Sequence, residues 1–226
     1  MSSTAIDLAA GVAEDPLALL PRKPVRDYDK HQVIYGAGSE PEGGAAALYL
    51  VIGGRVKVSR PVPGGGEVIL GFHHTDEFFG ESRLWSAEQG SREQAAAMGK
   101  TSLMQWSDEE LDRLMIRMPA LGPALLRVLT RKLADAGSRI ESFCLDPIPR
   151  RLVKTLLELG RSSGRAVDER GLQLPPTTHE QLASYVGTSR EIITQYLNRL
   201  RRQGLLSYSR RGLELDVAGL EQFLAG

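Results

Sequence analysis

The 226-residue chain is short of several things, and each shortage closes off a class of function. Cys144 is the only cysteine. It has no partner for an internal disulfide and no companions for a cysteine-held zinc or iron–sulfur cluster. No apolar run approaches the roughly 18 residues that cross a bilayer. The opening stretch MSSTAIDLAAGVAEDPLALL carries Asp7, Glu14 and Asp15 and no Lys or Arg, unlike a secretory leader. These features predict a cytoplasmic protein with no membrane partner. Catalytic signatures are missing too: no nucleophile elbow, no Walker loop, no HExxH, no metal-spaced His/Cys set. The glycines at 64–66 fall in a turn and do not precede a helix, which argues against a phosphate loop. The expectation is a protein that is not an enzyme.

Net charge is lacking as well, but the zero is a sum of opposites. Residues 147–226 hold 12 Lys/Arg against 8 Asp/Glu, an excess of four positive charges. Residues 1–146 hold 16 against 20, the same excess of negative charge. A basic C-terminal third on an acidic body suggests that one part meets a polyanion.

What is present changes period along the chain. Residues 1–24 form a short amphipathic lead-in ending in Pro21 and Pro24. From Val25 to Trp106, short β-type runs alternate with glycine-rich turns, as in HQVIYGAGS, ALYLVIGGRVKVSR, GGGEVILGF, DEFFGE and EQAAAMGKTSLMQW. Tyr49, Val51, Val56 and Val58 alternate with period two across Gly53-Gly54, and Pro63-Gly64-Gly65-Gly66 reads as a hairpin turn. Such spacing predicts a small antiparallel roll or barrel. At Ser107 the period lengthens, with Glu110 three residues on completing a capping box. A longer helix follows Pro119, with Leu126, Leu129, Leu133, Ala136, Ile140 and Phe143 spaced alternately three and four apart. That seam either packs on its own domain or pairs with a second chain. Its length and its flanks Arg127, Arg131, Lys132 and Arg139 favour the two-chain coiled coil. Asp146-Pro147-Ile148-Pro149 reads as a hinge. A helix closed by Gly160 and a polar loop lead to the C-terminal module.

That module carries the most specific pattern. In TTHEQLASYVGTSREIITQYLNRLRRQG, residues 177–204, one helix stops at Gly187 and another starts at once. Thr177 with Glu180 and Thr188 with Glu191 both fit capping boxes. Leu182, Ala183 and Val186 form one buried stripe; Ile193, Leu197 and Leu200 form the next. Two helices joined by a short glycine turn make a helix-turn-helix. Its second helix lies in the major groove of duplex DNA. Thr178 and Ser189 sit at the helix starts. Arg190 suits guanine, Glu191 cytosine and Gln195 adenine. Arg199 suits a phosphate. LLSYSRRGLELDV reads as a two-stranded wing with Arg210 and Arg211 at its tip, against the DNA backbone. Singly, each is as easily a cap or a solvated surface residue; together they point to double-stranded DNA as partner.

From residue 25 to 220 the chain resembles the CRP/FNR family of transcription regulators. LYLVIGGRVKV is similar to that family's Tyr-x-Val-x-x-Gly-x-Val strand pair, and FFGE (78–81) to its Phe-x-Gly-Glu. The long helix ending in Leu145-Asp146 resembles its dimer helix and hinge, and ASYVGTSREII its recognition helix. The resemblance implies an α+β fold: a jelly-roll-like β-roll of the cyclic-nucleotide-binding type, a long dimerisation helix and a winged helix-turn-helix. The divisions expected are 1–24 for the lead-in, 25–118 for the effector roll, 119–146 for the dimerisation helix and hinge, and 147–226 for the DNA-binding part. It also implies a homodimer on a palindromic site, an effector in the roll and contact with RNA polymerase.

Departures from the pattern bear on the effector. In cAMP-binding members an Arg-Ser or Arg-Thr pair clamps the cyclic phosphate. Counting from Gly80 and Glu81 places Ser91-Arg92 there, in reversed order, and a one-residue shift on a strand turns a side chain to the other face. Where the family meets the adenine, the long helix carries Asp135-Ala136. A buried phosphate without its arginine, beside an acid, disfavours cAMP. No cofactor is assigned; an unidentified small molecule in the roll, or no effector, stays open. A haem bound through His73-His74 is disfavoured as well, because adjacent histidines are usually surface residues. The competing function is a small-molecule sensor or regulatory subunit that never touches DNA.

Overall fold

The computed structural model describes residues 15–36, 46–84, 92–163, 165–166, 171–210 and 212–226. Its N-terminal part is built from β1 (Arg26–Tyr28), β2 (Val33–Tyr35), β3 (Ala47–Gly53), β4 (Arg55–Pro61), β5 (Glu67–His74), β6 (Phe78–Phe79), β7 (Gln94–Ala97) and β8 (Thr101–Ser107). They form two four-stranded antiparallel sheets, ordered β1-β8-β3-β6 and β2-β7-β4-β5. The period-two residues of the sequence fill the space between them: Tyr49, Val51, Val56 and Val58 are buried in one cluster with Tyr35, Phe79, Ala95 and Leu103. The alternate residues of β3, Leu48 and Leu50, are buried on the sheet's other side with Leu20, Phe78, Trp106, Leu111 and Leu121. β3 is therefore covered on both faces, which is why its run is apolar almost throughout.

That second cover comes from helices. α1 (Pro16–Leu19) is capped by Asp15, and the next segment is tied down where the Trp106 indole donates to the Pro21 carbonyl at 3.1 Å. α2 (Asp108–Arg117) starts in the expected box of Ser107 and Glu110. α3 (Leu121–Leu145) follows, with Leu121 and Ala124 packed inward. Its remaining apolar seam is bare: Leu126, Leu133 and Ile140 are 63%, 74% and 64% exposed.

After α3 the chain turns at Asp146 into α4 (Ile148–Ser163). The Asp146 carboxylate takes the Ser142 hydroxyl at 2.6 Å and pairs with Arg150 and Lys154, so the hinge residue caps one helix and grips the next. Two readings of the sequence are corrected here. Gly160 does not end the helix; α4 runs on to Ser163. A Cβ at 160 would stand 3.1 Å from the Leu215 side chain, so this glycine serves close packing. The polar stretch after it is not all loop. β9 (Arg165–Ala166) and β10 (Gly171–Leu174) join β11 (Leu206–Ser209) and β12 (Gly212–Asp216) in a sheet ordered β11-β12-β10-β9. β11 and β12 are the expected wing; β10 extends it inward.

Between these strands lie α5 (His179–Val186) and α6 (Arg190–Arg202), and α7 (Val217–Ala225) closes the chain. Leu152, Leu156, Leu182, Val186, Ile193, Leu197 and Leu215 share one core, each worth about 1.5–3 kcal/mol of burial. Ile69 and Phe72 of β5 belong to that same core. They lie three residues apart and would face opposite sides of a regular strand. A bulge between Val58 and Ser59, where β4 pairs first with Gly71 and then with Ile69, inserts the extra residue that turns both toward the helices.

Burial also fixes a proton balance. His74 is 8% exposed, and desolvation, with Arg55 second, pulls its pKa down to about 4. A histidine kept neutral in the fold contributes stability present above its ordinary value, about 6.5, and lost as pH falls through 4. Between pH 7 and 5 the parent is expected to lose about 2 kcal/mol more than His74→Gln, read from urea midpoints at the two pH values.

Candidate nucleic-acid interface and its connection to the roll

The turn between α5 and α6 follows from local chemistry. Gly187 has φ 74°, and its N–H donates to the Ala183 carbonyl at 2.8 Å, ending α5 in a left-handed cap. A Cβ there would also lie 2.6 Å from the Phe143 ring. Thr178 is the N-cap of α5 and shares a reciprocal box with Gln181, one residue later than the expected Thr177–Glu180 pair. Ser189 caps α6 by accepting from the Ile192 N–H at 3.4 Å, so the second expected box, Thr188 with Glu191, does not form.

These caps set which side of α6 is free. Ile193, Leu197 and Leu200 are buried, whereas Arg190, Glu191, Gln195 and Arg199 are exposed on the outer side. The outer face is thus cationic and amide-bearing. Glu191 is held below the usual carboxylate range by its own backbone N–H at the helix start, then by the Ser189 hydroxyl and Arg190. Its carboxylate is turned back on the cap. Arg201 and Arg202 end the helix, where the dipole favours cations. Arg210 is exposed at the wing turn; Arg211 lies outside the described residues.

Sequence reasoning missed a second set of contacts, which joins this unit to the roll. Arg139 leaves α3 and donates to the Ile69 and Leu70 carbonyls at 2.8 and 2.7 Å, on the bulged part of β5. It also donates to the Tyr185 carbonyl of α5 at 2.8 Å and lies 3.8 Å over that residue's ring. Phe72 packs against the same ring at 5.3 Å, and the Tyr185 hydroxyl donates to Glu158 of α4 at 3.3 Å. Burial pushes the Tyr185 phenol pKa up. Arg55 of β4 donates to the Pro176 carbonyl at 2.5 Å and to Thr177 Oγ1 at 3.3 Å, just ahead of α5. Burial lowers Arg55 only to about 10, so it stays charged at neutral pH.

The effector candidates divide. Gly80 has φ 90°, and a Cβ would stand 2.7 Å from the Ala47 carbonyl, so only glycine fits. Beside it Glu81 accepts from Lys132 of α3 at 2.7 Å, and Lys132 also reaches the Phe78 carbonyl at 2.5 Å. Ser91 lies outside the described residues. Arg92 is exposed at the turn before β7, and Asp135 is exposed on α3, where its charge acts on Glu158 and Tyr185. Neither joins Gly80 and Glu81. The inward position is Glu93, which has the parity of Ala95 and Ala97 and is 8% exposed. Its carboxylate accepts from Ser82 Oγ at 2.5 Å and from Arg60 at 3.1 Å. Nearby, Arg83 lies 4.5 Å over the buried Tyr35 ring. His73 and His74, expected at the surface, lie on β5, where His74 is buried. His73 stacks on Phe79 at 5.5 Å, and alternation directs His74 the other way. Lys132 and Arg139, read as flanks of an interchain seam, are spent on the chain's own roll.

Comparison with known proteins follows this layout. The family model of the Crp-like helix-turn-helix domain matches residues 150–223, and that of the cyclic nucleotide-binding domain matches residues 25–118. The chain is 30% identical over 181 residues to the cyclic AMP receptor protein of Thermus thermophilus, covering 79% of each. It is 27% identical over 206 residues to the CRP-like cAMP-activated global transcriptional regulator of Mycobacterium tuberculosis, covering 86% of this chain and 85% of that one. The crystal structure of a CRP-family transcriptional regulator from Thermus thermophilus is similar with a TM-score of 0.72 at 25% identity, over 89% of this chain and 97% of that one.

Arg139→Ala leaves α5 held to the roll only by the Ile69 and Phe72 contacts and by Arg55, with the hydrophobic clusters intact. Limited proteolysis should then cut within residues 145–150 several times faster than in the parent, with far-UV circular dichroism unchanged.

Proposed function

Because the chain belongs to the CRP/FNR family of transcription regulators, we propose that it acts as a homodimer binding a palindromic DNA site through α6 and the wing. The observation that carries this reading is the two-sidedness of α6: Ile193, Leu197 and Leu200 inward, Arg190, Glu191, Gln195 and Arg199 outward. An exposed row of base-reading side chains on a rigidly capped helix is what the major groove accepts. In this reading Arg190 takes guanine, Glu191 leaves its cap to accept from cytosine, and Gln195 reads adenine. Arg199, Arg210 and Arg211 hold phosphates, as do the capping hydroxyls of Thr178 and Ser189. The boundaries 1–24, 25–118, 119–146 and 147–226 separate lead-in, roll, dimerisation helix and DNA-binding part.

The exposed seam Leu126, Leu129, Leu133 and Ile140 supports the homodimer, because an apolar stripe of this length is unstable against water unless a second copy covers it. Two copies related by a two-fold axis present their recognition helices to successive major grooves about 34 Å apart. The protein works in the cytoplasm, and regulation proceeds by contact with RNA polymerase.

The effector in this reading is not cAMP. Glu93 occupies the inward position with its own hydrogen-bond donors, Arg92 is exposed, and Glu81 holds Lys132. A second anion there would face two carboxylates, Glu93 and Glu81, whose charge disfavours it. The names of the Thermus and Mycobacterium relatives carry cAMP, so this is a divergence within the family.

Selection from random duplexes at fixed salt, with and without cAMP, tests the whole reading. A palindrome recovered equally in both supports it; recovery only with cAMP overturns the effector assignment, and no recovery overturns DNA binding. Arg190→Ala is expected to cost about 1–3 kcal/mol on the selected site and to relax specificity at one base pair, measured by competition against single-position variants. Leu133→Asp is expected to sediment as a monomer and to lose binding to the full palindrome.

A further inference from the structure

His179, the first residue of α5, touches both DNA-facing elements at once. Its Nδ1 lies 2.8 Å from Thr194 Oγ1 on α6, and its Nε2 lies 3.0 Å from the Tyr208 hydroxyl on β11. The Thr194 hydroxyl donates its only hydrogen to the Arg190 carbonyl at 2.8 Å. It can therefore only accept from the ring, which places the histidine hydrogen on Nδ1. Nε2 then accepts from the Tyr208 O–H. A single directed chain of hydrogen bonds runs from the wing, through His179 and Thr194, to the first residue of the recognition helix.

Protonation reverses part of that chain. A charged imidazole donates from both nitrogens. The Tyr208 oxygen must become the acceptor, and its hydrogen turns outward. Tyr208 is 46% exposed, so the hydrogen turns toward solvent, with Arg201 5.9 Å over the same ring. Resting on the DNA-binding reading above, we propose that His179 is a positioning residue whose neutral ring ties the wing to the recognition helix and whose protonated ring frees the Tyr208 hydroxyl for a DNA phosphate. Duplex binding then takes up a proton at each His179.

The groups that face the ring agree with this. Arg190 on α6 is the nearby charge, Arg201 acts across the Tyr208 ring, β11 contributes only the Tyr208 phenol, and α5 itself adds Glu180 beside it. Burial first, then Arg190, holds His179 below its ordinary value in the free protein, so it starts neutral near pH 7. A phosphate on this rim favours the charged form and raises that value on binding. By linkage, affinity grows as pH falls through the interval between the two values.

The test is fluorescence anisotropy of the full-length protein on its selected duplex, at constant ionic strength, from about pH 5.5 to 8. The parent is expected to weaken as pH rises by up to about tenfold per pH unit for each His179 that takes up a proton, so by up to about a hundredfold for the dimer. His179→Gln keeps one donor and one acceptor but cannot take the proton, and its profile should be flat. Tyr208→Phe should bind more weakly, most clearly at the acid end, where the parent's hydroxyl is free, so its profile should be shallower than the parent's. The His179 ring resonance in proton NMR gives an independent readout, moving to a higher titration midpoint when duplex is added. Parallel slopes for parent and His179→Gln, or an unchanged midpoint, overturn the proposal while leaving DNA binding intact. Failure of the parent to bind any duplex overturns the underlying reading instead.

Discussion

Arg139 is the side chain on which the arrangement of the molecule turns. A guanidinium presents its five donors in a fixed planar fork, so it can hold several carbonyls at once and still lay its flat face on a ring, which a lysine cannot do. Here it holds three, two on the bulge of β5 and one at the end of α5, and its flat face covers the Tyr185 ring. The bulge is the other half of the device. It turns Ile69 and Phe72 to the same side and makes their strand part of the helix-turn-helix core. β5 is also the edge of its sheet, where strands commonly pair with foreign chains. Arg139 and α5 cover it instead.

The long helix α3 divides its surface by the same logic. Lys132 and Arg139, seven residues and two turns apart, lie on one line and both address the roll: one at the Gly80–Glu81 turn, the other at β5. The leucines between and beside them face elsewhere and stay bare. In the proposed dimer, a helix held on one line by its own roll and covered on another by a second copy would pass the state of one to the other. The carboxylates Glu81 and Glu93 each take a cation from this same chain, Lys132 and Arg60.

The recognition unit spends its polar groups in a similar order. Backbone ends come first: Thr178 and Ser189 cap, Glu191 bends back onto its own helix start, and Gly187 turns the chain. Only then do Arg190, Gln195 and Arg199 remain free for a partner. The inter-element link through His179 adds what caps cannot supply, a fixed relation between the recognition helix and the wing strand that follows it.

The elements whose evidence is local were open to sequence reading. Period two in β3 and β4, the Ser107 box, the seam of α3, the glycine turn at 187 and the arginine-rich helix after it all depend on neighbours within about seven residues, where spacing alone states the geometry. Where a residue's role is set by a distant part of the chain, it looked like something else. Gly160 looked like a helix end because nothing nearby reveals Leu215 against it. β10 looked like loop because its pattern makes sense only beside β12. Lys132 and Arg139 looked like coiled-coil flanks, and Glu93 and His179 drew no notice, because a polar side chain acquires its role from the partner it meets. The linear chain determined the order and type of its elements and the recognition helix with its arginines. Only the tertiary structure decided which cations are free and which are spent, because that depends on which distant carboxylates and carbonyls the fold brings within about 3 Å.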